Sequence, residues 1–217
     1  TKEEQGNVYA SHIGYQSTRW NWRIQQEYIS DNYAAEVGYI PRKNYLKLQV
    51  KGGYLNYTKK ETILLSHGPG VSQTYFFDSK LDNKDQLISL KYLFNFKNRS
   101  QLSIGFQNQF IQLLSNFDPL RTGIAFLDEG TSHKWNNFTI SYNSKPQNRF
   151  TYSLETITGG YYSEGKRSAF MGEFGYRFQP FLELSSVVNF NQINLPAPWY
   201  NNSFWLLGIK ANLTFTN

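Results

Sequence analysis

A strict alternation of apolar and polar residues runs through most of the 217-residue chain and limits its fold more than any other feature. In the segment 88–96, ISLKYLFNF, every second residue is Ile, Leu, Tyr or Phe, and Ser, Lys and Asn fill most positions between them. A period of two places successive side chains on opposite faces of a β-strand. No helical period of comparable length occurs, so the pattern predicts an all-β protein.

Turn-forming segments divide the alternating runs into about 10–12 antiparallel strands. Short polar segments lie at 97–100, 145–148 and 179–180, and longer ones rich in Gly, Pro, Asn and Asp lie at 116–132, 159–166 and 194–202. Alternating short and long connections are typical of an up-and-down β-barrel, which has turns at one rim and loops at the other. We therefore predict one barrel domain over residues 1–217, either complete or part of a larger barrel.

The two faces of the predicted strands differ sharply in composition. One face carries Phe, Tyr, Leu, Ile and Trp, and the other carries Ser, Thr, Asn, Gln, Gly and charged residues. In a soluble β-sandwich binding module the apolar face would be buried, whereas in a membrane barrel it contacts lipid. Long strands such as 101–114, and aromatic residues near strand ends, favour a transmembrane barrel in the bacterial outer membrane. The soluble sandwich remains an alternative.

Charged residues on the polar face are predicted to line the lumen of the barrel. They are Arg23, Glu27, Glu36, Lys47, Lys91, Glu155, Glu173, Arg177, Glu183 and Lys210. Opposite charges in a narrow barrel either pair and fill it or line a water-filled path. The net charge of +6 comes from Lys and Arg residues scattered along the chain without a dense basic patch, so we predict no nucleic-acid partner. The predicted transmembrane barrel instead implies outer-membrane lipid as a partner.

Catalytic and metal-binding patterns are weak in this sequence. There is no cysteine, and each histidine follows a serine, at His12, His67 and His133. Adjacent strand residues point to opposite faces, so no Ser-His pair forms a nucleophile–base couple by adjacency. Three nearby aspartates, Asp78, Asp82 and Asp85, lack the spacing of a calcium-binding loop. We predict a non-enzymatic protein with no metal or cofactor. The alternative is a barrel hydrolase acting on lipid or glycan.

Aromatic residues near the last long loop are candidates for ligand stacking. Trp199 and Tyr200 follow the segment NLPAP, and Trp205 lies in the next alternating run. Such residues either stack on sugar rings or anchor the barrel at the membrane interface, and both interpretations stay open.

Three segments resemble a known family. They are NYAAEVGYIPRKNY at 32–45, SHGPG at 66–70 leading into TYFFD at 74–78, and the hairpin FNFKNRSQLSIGF at 94–106. They are similar to the C-terminal domain of a Bacteroidota-rich family in which a family 9 carbohydrate-binding-module-like domain precedes an outer-membrane β-barrel of unassigned function. The motif residues here are Glu36, Gly38, Tyr39, Pro41, Arg42, His67, Gly68, Pro69 and Gly70. The resemblance implies envelope transport, or a membrane-anchored subunit of a larger outer-membrane assembly, with a link to glycan binding.

Overall fold

The computed structural model describes residues 6–33, 42–59, 61–178 and 181–214, and its regular structure there is entirely β. The strands are β1 (Val8–Gln16), β2 (Trp20–Ile29), β3 (Tyr45–Tyr54), β4 (Asn56–Tyr57), β5 (Leu64–Phe77), β6 (Asn83–Phe96), β7 (Gln101–Gln112), β8 (Ser132–Asn143), β9 (Phe150–Tyr161), β10 (Gly165–Phe178), β11 (Leu182–Asn194) and β12 (Asn201–Leu213). Within these residues no helix is long and apolar enough to cross a membrane.

The twelve strands form one sheet in which chain neighbours pair antiparallel. The short strand β4 pairs with β5 alongside the end of β3, so the sheet has eleven strand positions, which we call lanes. This arrangement confirms the predicted up-and-down order and differs from two sheets packed face to face, as a sandwich requires. Within the described residues β1 and β12 pair with β2 and β11 alone, so the sheet is open rather than closed into a barrel.

One predicted long connection is wrong. Residues 159–166 are mostly strand, because β9 continues to Tyr161 and β10 begins at Gly165. The turn between them is closed by a hydrogen bond from the Gly165 N–H to the Tyr162 carbonyl at 2.7 Å. Ser163 and Glu164 both take positive φ, at 44° and 63°, which is the backbone of a tight hairpin turn. Such turns usually contain Asn-Gly, so Ser-Glu gave no signal in the sequence.

The strand register gives every strand the same two faces. Partners such as Ile13 and Ile24, or Ile104 and Ile140, share the face that we call the apolar face. Partners such as Glu27 and Lys47 share the opposite face, which we call the polar face. The two faces predicted from the sequence are therefore present in every long strand, although residues such as Phe76 and Trp135 break the alternation locally.

Little of the chain is buried. It exposes 15088 Å² to solvent, whereas a compact monomer of 25.3 kDa would expose about 10,000 Å². Many large side chains of the apolar face are exposed, Ile209 by 88% and Ile13 by 64%. An apolar sheet face of this size, with nothing of the described chain packed on it, is larger than the apolar patches that soluble monomers usually expose.

Candidate functional site

Nine of the ten charged residues predicted to line a lumen share the polar face. They are Arg23, Glu27, Lys47, Lys91, Glu155, Glu173, Arg177, Glu183 and Lys210. The tenth, Glu36, lies outside the described residues. The register thus brings these charges from seven strands onto one surface, and their lining of a lumen stays a prediction because the sheet is open.

The charges on this face do not neutralise one another by direct contact. Glu27 stands opposite Lys47, and Arg177 stands opposite Glu183, yet no ion pair of the described chain joins two of the nine. Arg177 instead donates to backbone carbonyls of the β8–β9 turn, at 3.1 Å for Asn148. The polar face therefore presents charges of both signs to the space in front of it.

The connection between β7 and β8, loop 113–131, is folded within itself. Phe117 and Leu127 form an antiparallel bridge across the loop. The Asp118 carboxylate accepts backbone N–H groups from Leu120 at 2.9 Å and Gly123 at 2.6 Å. Desolvation works to raise the pKa of Asp118, but these backbone donors outweigh it and hold the pKa below its usual value. The loop is thus an ordered hairpin rather than a loose connection.

This loop is docked across the polar face. Leu120 is 1% exposed and packs with Ile193 of β11. The Trp199 indole N–H donates to the Ala125 carbonyl at 3.0 Å, and the Asn202 amide donates to the Leu120 carbonyl at 3.2 Å. The loop therefore crosses β8, β9 and β10 to reach these partners. Leu120, Ile193 and Leu195 form the main hydrophobic cluster of the described chain.

A cleft lies beside the loop, between β5 and β8. Phe117 of the loop contacts the Tyr162 ring at a centroid distance of 5.1 Å, and Trp135 contacts the same ring at 4.8 Å. Burial raises the pKa of Tyr162 to about 12, so its hydroxyl stays protonated. The cleft has a volume of about 330 Å³ and is lined by Thr74, Phe76, Asp85, Gln109, Ile111, Trp135 and Tyr162.

The motif residue Arg42 lies at this cleft. Its guanidinium forms an ion pair with Asp85 and lies 5.0 Å from the centroid of the Phe76 ring. The other carboxylate oxygen of Asp85 is buried and has no hydrogen-bond partner among the described residues. The remaining residues of that motif, Glu36, Gly38, Tyr39 and Pro41, lie outside the described residues. Of this motif, Arg42 is therefore the described residue that contacts the polar face, through Asp85 and Phe76.

The second motif segment lies inside β5. His67 and Pro69 point to the apolar face, and Gly68 and Gly70 lie on the opposite side. A Cβ on Gly68 would lie 1.9 Å from the Tyr54 carbonyl oxygen, so glycine is required where β3 gives way to β4.

The three aspartates do not form a metal site. Asp85 lies in β6, whereas Asp78 and Asp82 lie in the turn before it. The Asp78 carboxylate accepts the N–H groups of Lys80 at 2.9 Å and Asp82 at 3.0 Å, and the Lys84 ammonium lies 3.2 Å away. In the described parts of the chain, no three His, Asp or Glu side chains come together as ligands for a metal ion.

The histidines lie far apart in the sheet. His12 in β1 and His133 in β8 belong to the polar face, with five lanes between them. His67 belongs to the apolar face, where its Nδ1 lies 2.6 Å from the Tyr92 hydroxyl. No shared site for all three follows from this placement.

The candidate stacking aromatics do not form one platform. Trp199 is part of the loop-docking cluster, and Tyr200 is exposed beside it. Trp205 lies on the apolar face against Phe190, with ring centroids 4.4 Å apart. Phe76 and Trp135 line the cleft but were not predicted as site residues, and both lie at polar-face positions of their strands. Aromatic residues that break the alternation in this way are a signal by which the cleft could have been found.

The sheet is open, but its up-and-down order of antiparallel strands, with one apolar and one polar face, is that of a β-barrel wall. A solved porin structure is similar, with a TM-score of 0.54, over 94% of this chain and 60% of the porin chain, at 10% sequence identity. The likeness is one of fold, and this chain spans less than two thirds of the porin. No protein of curated function matches the chain. A family model matches residues 1–211, and the chain belongs to that family, a domain of unknown function designated DUF5916.

Proposed function

We propose that this chain forms membrane-spanning barrel wall in a bacterial outer-membrane protein, and that its polar face lines a passage for small polar solutes. The observation that carries the proposal is that the hydrophobic packing of the described chain lies on its polar face rather than on its apolar face. Among the described residues nothing packs on the apolar face, whereas the cluster of Leu120, Ile193 and Leu195 lies on the polar face, under loop 113–131. That distribution suits a sheet whose apolar face meets lipid and whose polar face meets an enclosed aqueous space.

Loop 113–131 narrows the proposed passage. It is held by its own hydrogen bonds and by contacts to β11, to the loop before β12 and to Asn202 of β12, so in its docked position it restricts the space over the polar face. The charges of both signs on the remaining surface, which form no ion pairs with one another in the described chain, keep that space hydrated.

Conductance measurements test this function. The natural full-length protein, refolded in detergent and inserted in a planar bilayer, is expected to conduct ions. Replacing residues 116–128 by a short Gly-Ser linker should raise the single-channel conductance, because the obstruction is removed. Replacing the 97–100 turn, at the opposite end of the strands, by a Gly-Ser linker of the same length is the control and should leave conductance unchanged. A silent wild-type protein with an intact barrel would refute the proposal.

Sugar-sized molecules are the solutes that the cleft favours. Aromatic rings of Trp135 and Tyr162 offer apolar faces for a pyranose ring, and Thr74 and Gln109 offer hydrogen-bonding groups. Maltose added to the conducting protein should interrupt the ion current, and Trp135→Ala should weaken this block. Trp205→Ala removes an equal side chain from the apolar face and serves as the matched control. Equal effects of both variants would refute the assignment to the cleft.

A further inference from the structure

The direction of the edge strands limits how the sheet can close. Eleven lanes run antiparallel from β1 to β12, so the first and the last lane point the same way. Direct pairing of β1 with β12 would therefore create a parallel pair in an otherwise antiparallel sheet. An all-antiparallel barrel needs an odd number of further strands between these two edges, which gives an even total, as in single-chain bacterial outer-membrane barrels.

The edges must be paired if the sheet spans a membrane. Backbone N–H and C=O groups along one side of β1 and of β12 have no strand partner in the described chain. An unpaired backbone group is strongly unfavourable in hydrocarbon, so edges of nine and thirteen residues cannot stay unpaired in a stable membrane-spanning sheet. Neither edge is protected, since β1 has no Pro, Lys or Arg and β12 has Lys210 as its one basic residue.

A second copy of the chain does not satisfy the edges. Two copies in the same orientation would place β12 of one beside β1 of the other, and these strands are again parallel. Antiparallel pairing of β1 with β1, or of β12 with β12, would turn one copy upside down in the membrane. All copies of an outer-membrane protein insert with their long loops on the same side of the membrane, so this inverted pairing does not occur.

We propose that an odd number of antiparallel strands from the same polypeptide joins β1 to β12, and that the edges of these two strands are the surface on which the added strands pair. The porin structure supports the size of this addition, because the chain covers 60% of the porin chain. Eleven lanes scale to roughly 18, and porins have about 16–18 strands, which requires about five or seven more. The inference rests on the proposed membrane placement, but its test reads strand pairing and not conductance.

Photo-crosslinking from the two edges tests the proposal in the natural full-length protein. A benzophenone amino acid replaces Ile13 in β1 or Ile209 in β12, both exposed on the apolar face. The matched control replaces Ile140 in β8, which faces the same side and already has β7 and β9 as neighbours. After irradiation of the folded protein in outer-membrane vesicles, peptide mapping identifies each captured segment.

The expected result is capture, from both edge positions, of peptides of the same polypeptide outside Val8–Leu213, without an increase to twice the molecular mass. The Ile140 position should capture β7 or β9, which establishes that a probe on this face reaches the neighbouring strands. A crosslink between β1 and β12 of one molecule would overturn the proposal in favour of an eleven-lane barrel with one parallel pair. A dimer-sized product, or capture of lipid alone at both edges, would overturn it too. A non-conducting protein that gives the expected crosslinks refutes the proposed passage and leaves the closure standing.

Discussion

Removing the side chain that anchors loop 113–131 should release the loop without unfolding the sheet. Leu120 is 1% exposed and is held in a cluster with Ile193 and Leu195. Truncating a buried Leu to Ala costs about 2–5 kcal/mol. Because the cluster forms only when the loop is docked, Leu120→Ala should shift the local docking equilibrium by about 3 kcal/mol. At 1.4 kcal/mol per factor of ten, the undocked population rises about 150-fold.

Limited trypsin digestion measures this population. Arg121 is exposed and follows Leu120 directly, so cleavage after it reports opening of the loop when opening is fast relative to cleavage. The rate of cleavage after Arg121 in Leu120→Ala should exceed that of the wild type by about two orders of magnitude. The far-ultraviolet circular dichroism should stay that of the intact β-sheet.

The control is Leu114→Ala, which removes the same atoms from the same loop at a side chain that is 58% exposed. Its cleavage rate should stay close to that of the wild type. Equal rates for Leu120→Ala and Leu114→Ala would refute the docked loop, and so would an Ala variant at Leu120 that loses the sheet signal before any selective cleavage.

Three further outcomes follow from the same contacts. Trp199→Phe keeps most of the packing but removes one hydrogen bond, worth about 0.5–1.5 kcal/mol, so cleavage after Arg121 should rise about 2- to 12-fold, and an unchanged rate would contradict the anchoring role. Gly68→Ala should lower the urea midpoint of unfolding, because the forced overlap costs about 1–3 kcal/mol of stability. The control is Gly208→Ala, which should leave the midpoint unchanged because the nearest neighbour of its new Cβ lies at 3.9 Å. Equal midpoints would contradict the close approach at Gly68. Because the pKa of Asp118 is lowered, its carboxylate stabilises the loop above about pH 4, and this stabilisation is lost as the pH falls further. Amide hydrogen exchange in the loop, corrected for the intrinsic exchange rate, should therefore accelerate below about pH 4. Asp118→Asn should not show this acceleration.

The strands and their two faces were predictable from the sequence because the period of two is a local property. Every register partner of a polar-face residue such as Glu27 or Lys91 is itself on that face, so one alternating pattern fixes the faces of all strands at once. The tight turn at Ser163 and Glu164 was not predictable, because its residues are not those that usually adopt positive φ.

The docked loop and the cleft could not be derived from local patterns. Leu120 contacts Ile193, and Asn202 bonds to the Leu120 carbonyl, across 73 and 82 residues of chain. The local sequence around Trp199 is the same whether this residue binds a sugar, lies at the membrane interface or anchors a loop, so the sequence could not distinguish these roles. Its contact with Ala125 depends on where β7 and β12 lie in the sheet.

The sequence by itself determined that this chain forms a meander of antiparallel strands with one apolar and one polar face, since alternation and turns act over a few residues. The tertiary structure decided which face carries the packed loop, where the cleft with Arg42, Asp85 and Trp135 lies, and that the first and last lanes point the same way. These features depend on the number and order of strands between distant residues, and no short stretch of sequence contains that information.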